Sequence, residues 1–286
     1  CYWFFYWLCY RNCSQSRCKY YFGVLFNLLY LVLMKHKIKV AAVSYLNTIP
    51  FLYGLEQDEK LLAQLDLRLE YPSKCADLLK TGEVDLALIP IAEIPNINHS
   101  TIISDFCIGA VGKVNTVMLY SDCPLHEIKS IALDYQSRTS VMLTKVLVNN
   151  FWNIDVLFKE TTEGYINSIS ESEAGVVIGD RAFDLNGTFP YEFDLAEEWF
   201  KFTGLPFVFA CWVANKPLSN YFVDQFSEAL KVGLENKEKA ILLWQQKDNN
   251  SIDLKSYLNS DISYDFDDAK KLALKKFLEF AAEFIN

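Results

Sequence analysis

Eight consecutive apolar residues, Phe207 to Ala214, lie between a Thr203-Gly204-Leu205-Pro206 turn and an Asn215-Lys216-Pro217 break. No other feature of the chain constrains its fold as tightly. A run this short, aromatic and β-branched, bounded by Gly and Pro, reads as a strand covered on both faces. Strands of that kind belong to sheets flanked by helices, and open α/β sheets bind small ligands at their strand ends. Gly204 and Pro206 stand at one end of this strand and are therefore candidate ligand contacts. The alternative is a plain core strand.

The rest of the chain alternates strands and helices. Strand patterns fall at 38–44, 65–71, 84–89, 101–106, 114–121, 131–133, 156–158 and 174–178. Helical patterns start near Phe51 and cover 74–80, 141–151, 219–246 (interrupted near Asn236) and 266–284. This alternation predicts an α/β fold with mostly parallel sheets. Strand–helix units occur in two groups, 38–106 and 131–180, and long apolar strands bracket the second group. The layout predicts two lobes with two crossover strands and an inter-lobe cleft. Residues 37–114 with 214–286 would form lobe 1, and residues 115–213 lobe 2. Pockets commonly lie in such a cleft.

Charge narrows the partners. The net charge is −9, and no long basic run interrupts it. That argues against nucleic acid. An anionic ligand would have to be held by local dipoles and a few cations, because the overall field repels it.

Residues 1–33 differ from the remainder. They hold Cys1, Cys9, Cys13 and Cys18 and many aromatics, and Met34 follows them. The apolar run from Tyr20 to Met34 contains Asn27 and is shorter than the ~20 residues of a spanning helix. Neither a cleavage site nor a lipoprotein cysteine context accompanies it. A small disulfide module is a second reading. The reading favoured here is a non-native or disordered extension ahead of Met34. Cys75, Cys107, Cys123 and Cys211 are scattered without metal-ligand spacing, as in a reduced, cytoplasmic protein.

Three loops share one design: a strand, then hydroxyl or amide residues, then a helix start. They are Ser44–Thr48, Pro90–Glu93 and Ser137–Ser140. A helix N-terminus offers free N–H groups and a partial positive charge, which suits carboxylate or phosphate. Ser137, Arg138, Thr139 and Ser140 add three hydroxyls and a guanidinium able to clamp a carboxylate. Ordinary capping, with Arg138 in a surface ion pair, explains the same pattern. Asp180-Arg181 reads either as a cleft ion pair or as a helix start. Gly109–Lys113 lacks the ending of a phosphate loop. His36, His99 and His126 show no metal spacing and no paired nucleophile, so neither metal nor covalent catalysis is expected.

Four segments together resemble one family: Val43-Ser44-Tyr45-Leu46-Asn47-Thr48-Ile49-Pro50, Leu133–Leu143, Val177-Ile178-Gly179-Asp180-Arg181-Ala182, and Glu198 through Trp212. The family is chorismate dehydratase of the futalosine route to menaquinone. The resemblance runs from about Lys37 to Phe284. It implies a periplasmic-binding-protein type II-like fold and a cofactor-independent hydro-lyase acting on chorismate, a small anionic substrate. It implies catalytic roles for Asn47 and for Thr116, which stands where the family has a serine. Substrate contacts would come from Ser44, Tyr45, Ser137, Arg138, Thr139, Ser140, Asp180, Gly204 and Pro206. Two alternatives share the fold. One is a non-catalytic solute-binding protein for a small carboxylate. The other is the sister enzyme 1,4-dihydroxy-6-naphthoate synthase, which relies on a histidine in its second lobe. Oligomeric state is not legible here.

Overall fold

The computed structural model describes residues 37–246 and 252–284, so the expectation for residues 1–33 lies outside it. Among the described residues, eleven strands form two sheets. The first contains β1 (Ile38–Val43), β2 (Leu65–Glu70), β3 (Leu86–Pro90), β4 (Thr101–Ala110), β10 (Phe207–Ala214) and β11 (Ser263–Asp265). Its order is β11-β4-β10-β3-β1-β2. The second contains β5 (Val117–Ser121), β6 (Ser130–Leu133), β7 (Leu157–Glu160), β8 (Glu173–Ile178) and β9 (Tyr191–Asp194), in the order β7-β6-β8-β5-β9.

Both sheets are mixed, whereas the sequence predicts mostly parallel ones. β1 runs parallel to β2 and β3, and β6 runs parallel to β7 and β8. The strands that receive the chain as it changes sheet run the other way. β10 is antiparallel to β3 and β4, and β5 is antiparallel to β8 and β9. β10 lies wholly in the first sheet, so the return crossing falls at Gly204–Pro206 instead of at 213/214.

The longer helices among the described residues are α1 (Ile49–Gln57), α2 (Pro72–Thr81), α3 (Thr139–Leu147), α4 (Leu195–Thr203), α5 (Asn220–Glu235), α6 (Lys237–Gln245) and α7 (Asp268–Ala281). All eight side chains of β10 are buried, as a strand covered on both faces requires. α1 and α5 touch backbone to backbone. A Cβ on Gly54 would stand 1.9 Å from the Ala229 carbonyl oxygen, and one on Gly233 1.9 Å from that of Pro50. Only glycine permits that approach, and it fixes the helix that follows the Asn47 turn.

An aromatic cluster ties the C-terminus to both lobes. The ring of Trp199 on α4 lies 5.4 Å from Phe207 on β10 and 6.2 Å from Phe277 on α7. Edge-to-face pairs of this kind contribute about 0.5–1.5 kcal/mol each beyond the area they bury. No helix among the described residues is long and apolar enough to cross a membrane.

Candidate functional site

A cavity opens where the two sheets face each other, with about 530 Å³ of atom-free space counted out to its mouth. Its wall combines Tyr45 and Asn47 from the loop after β1, Thr116 from the first crossing, and Ser137, Thr139 and Ser140 at the start of α3. Pro90, Ile108, Phe209, Ala210, Ile178 and Gly179 complete it with apolar or main-chain surface. The shape is that of a small-molecule site: mostly apolar, with a few converging polar groups.

Asn47 sits in a single 3-10 turn, Leu46–Thr48, between β1 and α1. Its main-chain carbonyl accepts the Tyr264 hydroxyl at 2.9 Å. The N–H of the preceding residue, Leu46, donates to both carboxylate oxygens of Asp180, at 3.2 and 3.3 Å. Thr48 makes no capping bond to α1; its hydroxyl donates to the Asn47 side-chain oxygen at 3.2 Å. The turn is therefore pinned from three sides, which orients the Asn47 amide.

Thr116 is placed by a carboxylate far along the chain. Asp194, at the end of β9, accepts the Val114 and Asn115 N–H groups at 2.8 and 2.6 Å. The same carboxylate caps α4 through the N–H groups of Ala196 and Glu197. Asn115 takes a left-handed conformation at φ 61. An Asn tolerates that region better than most side chains.

The start of α3 is built as expected, but its groups are used differently. The Ser137 hydroxyl, one residue before the Arg138 N-cap, accepts the Ser140 N–H at 2.9 Å and so occupies one of the helix's leading donors. The Thr139 hydroxyl donates to the Phe209 carbonyl at 3.0 Å and accepts the Ala92 N–H at 3.3 Å. The leading N–H groups of α3 still carry the partial positive charge of a helix start.

Five expected contacts do not line the cavity, Asp180 among them. Arg138 points outward with 49% of its side chain exposed, 3.8 Å from Asp77 and 4.0 Å from Glu93. Ser44 is exposed, and its N–H donates to Glu70, extending the β1–β2 ladder. Gly204 is the left-handed residue that ends α4, at φ 71. The Pro206 carbonyl accepts the Trp199 indole N–H at 3.0 Å. Leu205 and Pro206 form the return crossing, which is why the strand meets the cavity only at Phe209 and Ala210.

Asp180 does not line the cavity, although its neighbour Gly179 does. Burial raises its carboxyl to about 6, against the opposing pull of the Leu46 N–H and of Arg181. Arg181 itself pairs with Asp134 at 2.6 Å and stacks over the Tyr135 ring, 5.7 Å away. The Tyr45 hydroxyl donates to the Gln136 side chain across the cleft, and burial holds that phenol well above its ordinary range. A side chain on Gly179 would strike the Tyr45 ring at 2.7 Å. The roles of Gln136 and Asp194 have no local sequence signal, because they depend on partners in other segments. Among the described residues, no three His, Cys, Asp or Glu are grouped to hold a metal ion.

Two facing sheets with a polar-edged cavity between them define a periplasmic-binding-protein-like fold. A crystal structure of an Archaeoglobus fulgidus protein superposes with a TM-score of 0.69 at 18% identity, covering 87% of this chain and 98% of that one. A Candida albicans protein described as having the generic periplasmic binding protein fold gives 0.61 at 14%, covering 87% and 91%. Residues 38–283 match the family model described as menaquinone biosynthesis, and the chain belongs to that family. It is 28% identical to a chorismate dehydratase of Thermus thermophilus over 229 residues, 73% of this chain and 83% of the relative. It is 26% identical to a chorismate dehydratase of Campylobacter jejuni over 249 residues, 83% and 94%.

Proposed function

We propose that the chain is a chorismate dehydratase, converting chorismate to 3-[(1-carboxyvinyl)oxy]benzoate and water without a cofactor. The observation that carries this reading is the joint presence of Asn47 and Thr116 on one cavity wall facing the α3 helix start. The relatives named chorismate dehydratase support the same substrate.

In this reaction the ring loses the C3 proton and the C4 hydroxyl. The C3–H electron pair becomes the new ring double bond, the C4–O bond breaks, and the ring becomes aromatic. Aromatisation supplies driving force, so the protein chiefly orients a dianion and stabilises a departing hydroxide. The α3 N-terminus, through main-chain N–H groups and Ser140, receives one carboxylate. Asn47, a neutral amide and a poor base, orients the substrate by hydrogen bonding. Thr116 supplies a hydroxyl to the leaving group. The C3 proton passes to water or to a substrate carboxylate. Tyr45 closes the cavity wall across from Gly179.

The cavity accounts for anion binding in a chain of net charge −9, because main-chain dipoles hold charge locally where the overall field opposes it. Incubation of the chain with chorismate, followed by mass spectrometry for loss of water, tests the reading.

A further inference from the structure

Tyr257 is buried, with only 2% of its surface exposed, and no motif in the sequence marks it. Its hydroxyl lies 3.0 Å from the Thr116 hydroxyl oxygen. Thr116 is equally buried, so water does not compete for that oxygen. The Thr116 hydroxyl itself donates to the Val114 carbonyl, at a longer 3.4 Å. The Asn47 side chain also acts on the Tyr257 phenol, easing the rise that burial imposes. The net direction is upward, so the phenol keeps its proton and remains a donor.

The segment carrying Tyr257 is anchored to the first crossing a second time. Asp261 accepts the Asn115 side-chain N–H at 2.9 Å, one residue before Thr116. The Tyr257 ring is fixed edge-on to Phe183, with centroids 5.0 Å apart and planes at 87°. Two ties and one ring contact thus hold the hydroxyl in place.

We propose that Tyr257 is a positioning residue whose hydroxyl orients that of Thr116, beside Asn47, toward the cavity. A hydroxyl has one proton and two acceptor sites. With Tyr257 donating to its oxygen, the Thr116 proton, held only by the long bond to the Val114 carbonyl, can turn to a group in the cavity. The donated bond also polarises Thr116 and makes it a better donor. In the proposed dehydration that group is the departing hydroxide. The inference therefore rests on the proposed function and adds a residue to it.

The experiment compares the kinetics of Tyr257→Phe, Thr116→Val and the double variant on chorismate, at a temperature where each is folded by circular dichroism. Tyr120→Phe is the control, since it removes an equally buried hydroxyl that bonds to Ala182 and Asn186. The expected result for Y257F is a kcat lowered about 10- to 50-fold with KM within twofold, below the loss from removing a direct transition-state donor. The double variant should lie within about twofold of T116V alone, because Tyr257 acts through Thr116. Y120F should keep wild-type kcat. Full kcat in Y257F, a loss expressed only in KM, or additive losses in the double variant would overturn the role of Tyr257. Absence of turnover by the wild-type chain would instead overturn the proposed function, and the role with it.

Discussion

Thr139 of the second lobe donates its hydroxyl to the main-chain carbonyl of Phe209 in the first, at 3.0 Å. It accepts the Ala92 N–H with the same oxygen, so both of its hydrogen-bonding functions join the lobes. Nearby, the Ser73 N–H and hydroxyl donate to the carbonyls of Gln136 and Tyr135. These bonds join the two lobes beside the cavity. Replacement by Val, which keeps the shape, strips two buried bonds at roughly 0.5–1.5 kcal/mol each. T139V should melt about 3–8 °C lower and show a KM for chorismate raised roughly tenfold. T139S should stay within threefold. A T139V variant with wild-type KM would show that substrate binding does not depend on this contact.

Arg138 was the strongest cationic candidate in the sequence, and it stands in solvent between Asp77 and Glu93. Exposed pairs of this geometry contribute about 0–1 kcal/mol. R138A is expected to change kcat and KM by less than threefold. Steady-state kinetics decide between this and a carboxylate clamp, for which KM would rise by a hundredfold or more.

Asp194 joins two structural tasks in one carboxylate: it caps α4 and holds the Val114–Asn115 turn before Thr116. An amide in its place offers one acceptor oxygen and turns a donor toward at least one N–H. D194N should lose about 2–3 kcal/mol in denaturant unfolding. Its kcat should fall with stability, because the Thr116 turn loses its anchor. A destabilised variant with unchanged kcat would separate the two tasks.

Asp180 gives a pH signature. Its carboxyl in the folded protein titrates near 6, above the ordinary value of about 3.9. The folded state therefore binds this proton more tightly than the unfolded state. The resulting stability is complete below about pH 4 and is lost as pH rises through 6. D180N mimics the protonated side chain. Its stability relative to wild type should be near zero at pH 3.5 and positive at pH 7.5, on the order of 3 kcal/mol. Melting curves at the two pH values check the sign; a constant difference would mean that the carboxyl titrates normally.

The strand patterns at β1, β2, β3, β8 and β10 were legible because their residues alternate or run apolar between turn residues. The short β9 and β11 and the helix α4 were not read. β9 and β11 have only four and three residues, and their pairing partners are distant in sequence. α4 begins at an Asp194 cap immediately after β9, so strand and helix merge into one amphipathic stretch. At the site, Asn47 and Thr116 came from the resemblance, and both lie on the cavity wall. The three helix-start loops came from the residues alone. Which of their groups are free could not be read, because that depends on bonds such as Thr139 to Phe209 across 70 positions.

Turnover of chorismate by the unmodified chain tests the account most directly. The measurement follows the loss of diene absorbance and the appearance by mass spectrometry of a product about 18 Da lighter, with no cofactor added. The account predicts catalytic turnover to 3-[(1-carboxyvinyl)oxy]benzoate, abolished together with the Asn47 amide. Saturable binding of chorismate without any product would contradict it and assign the cavity to a solute receptor instead.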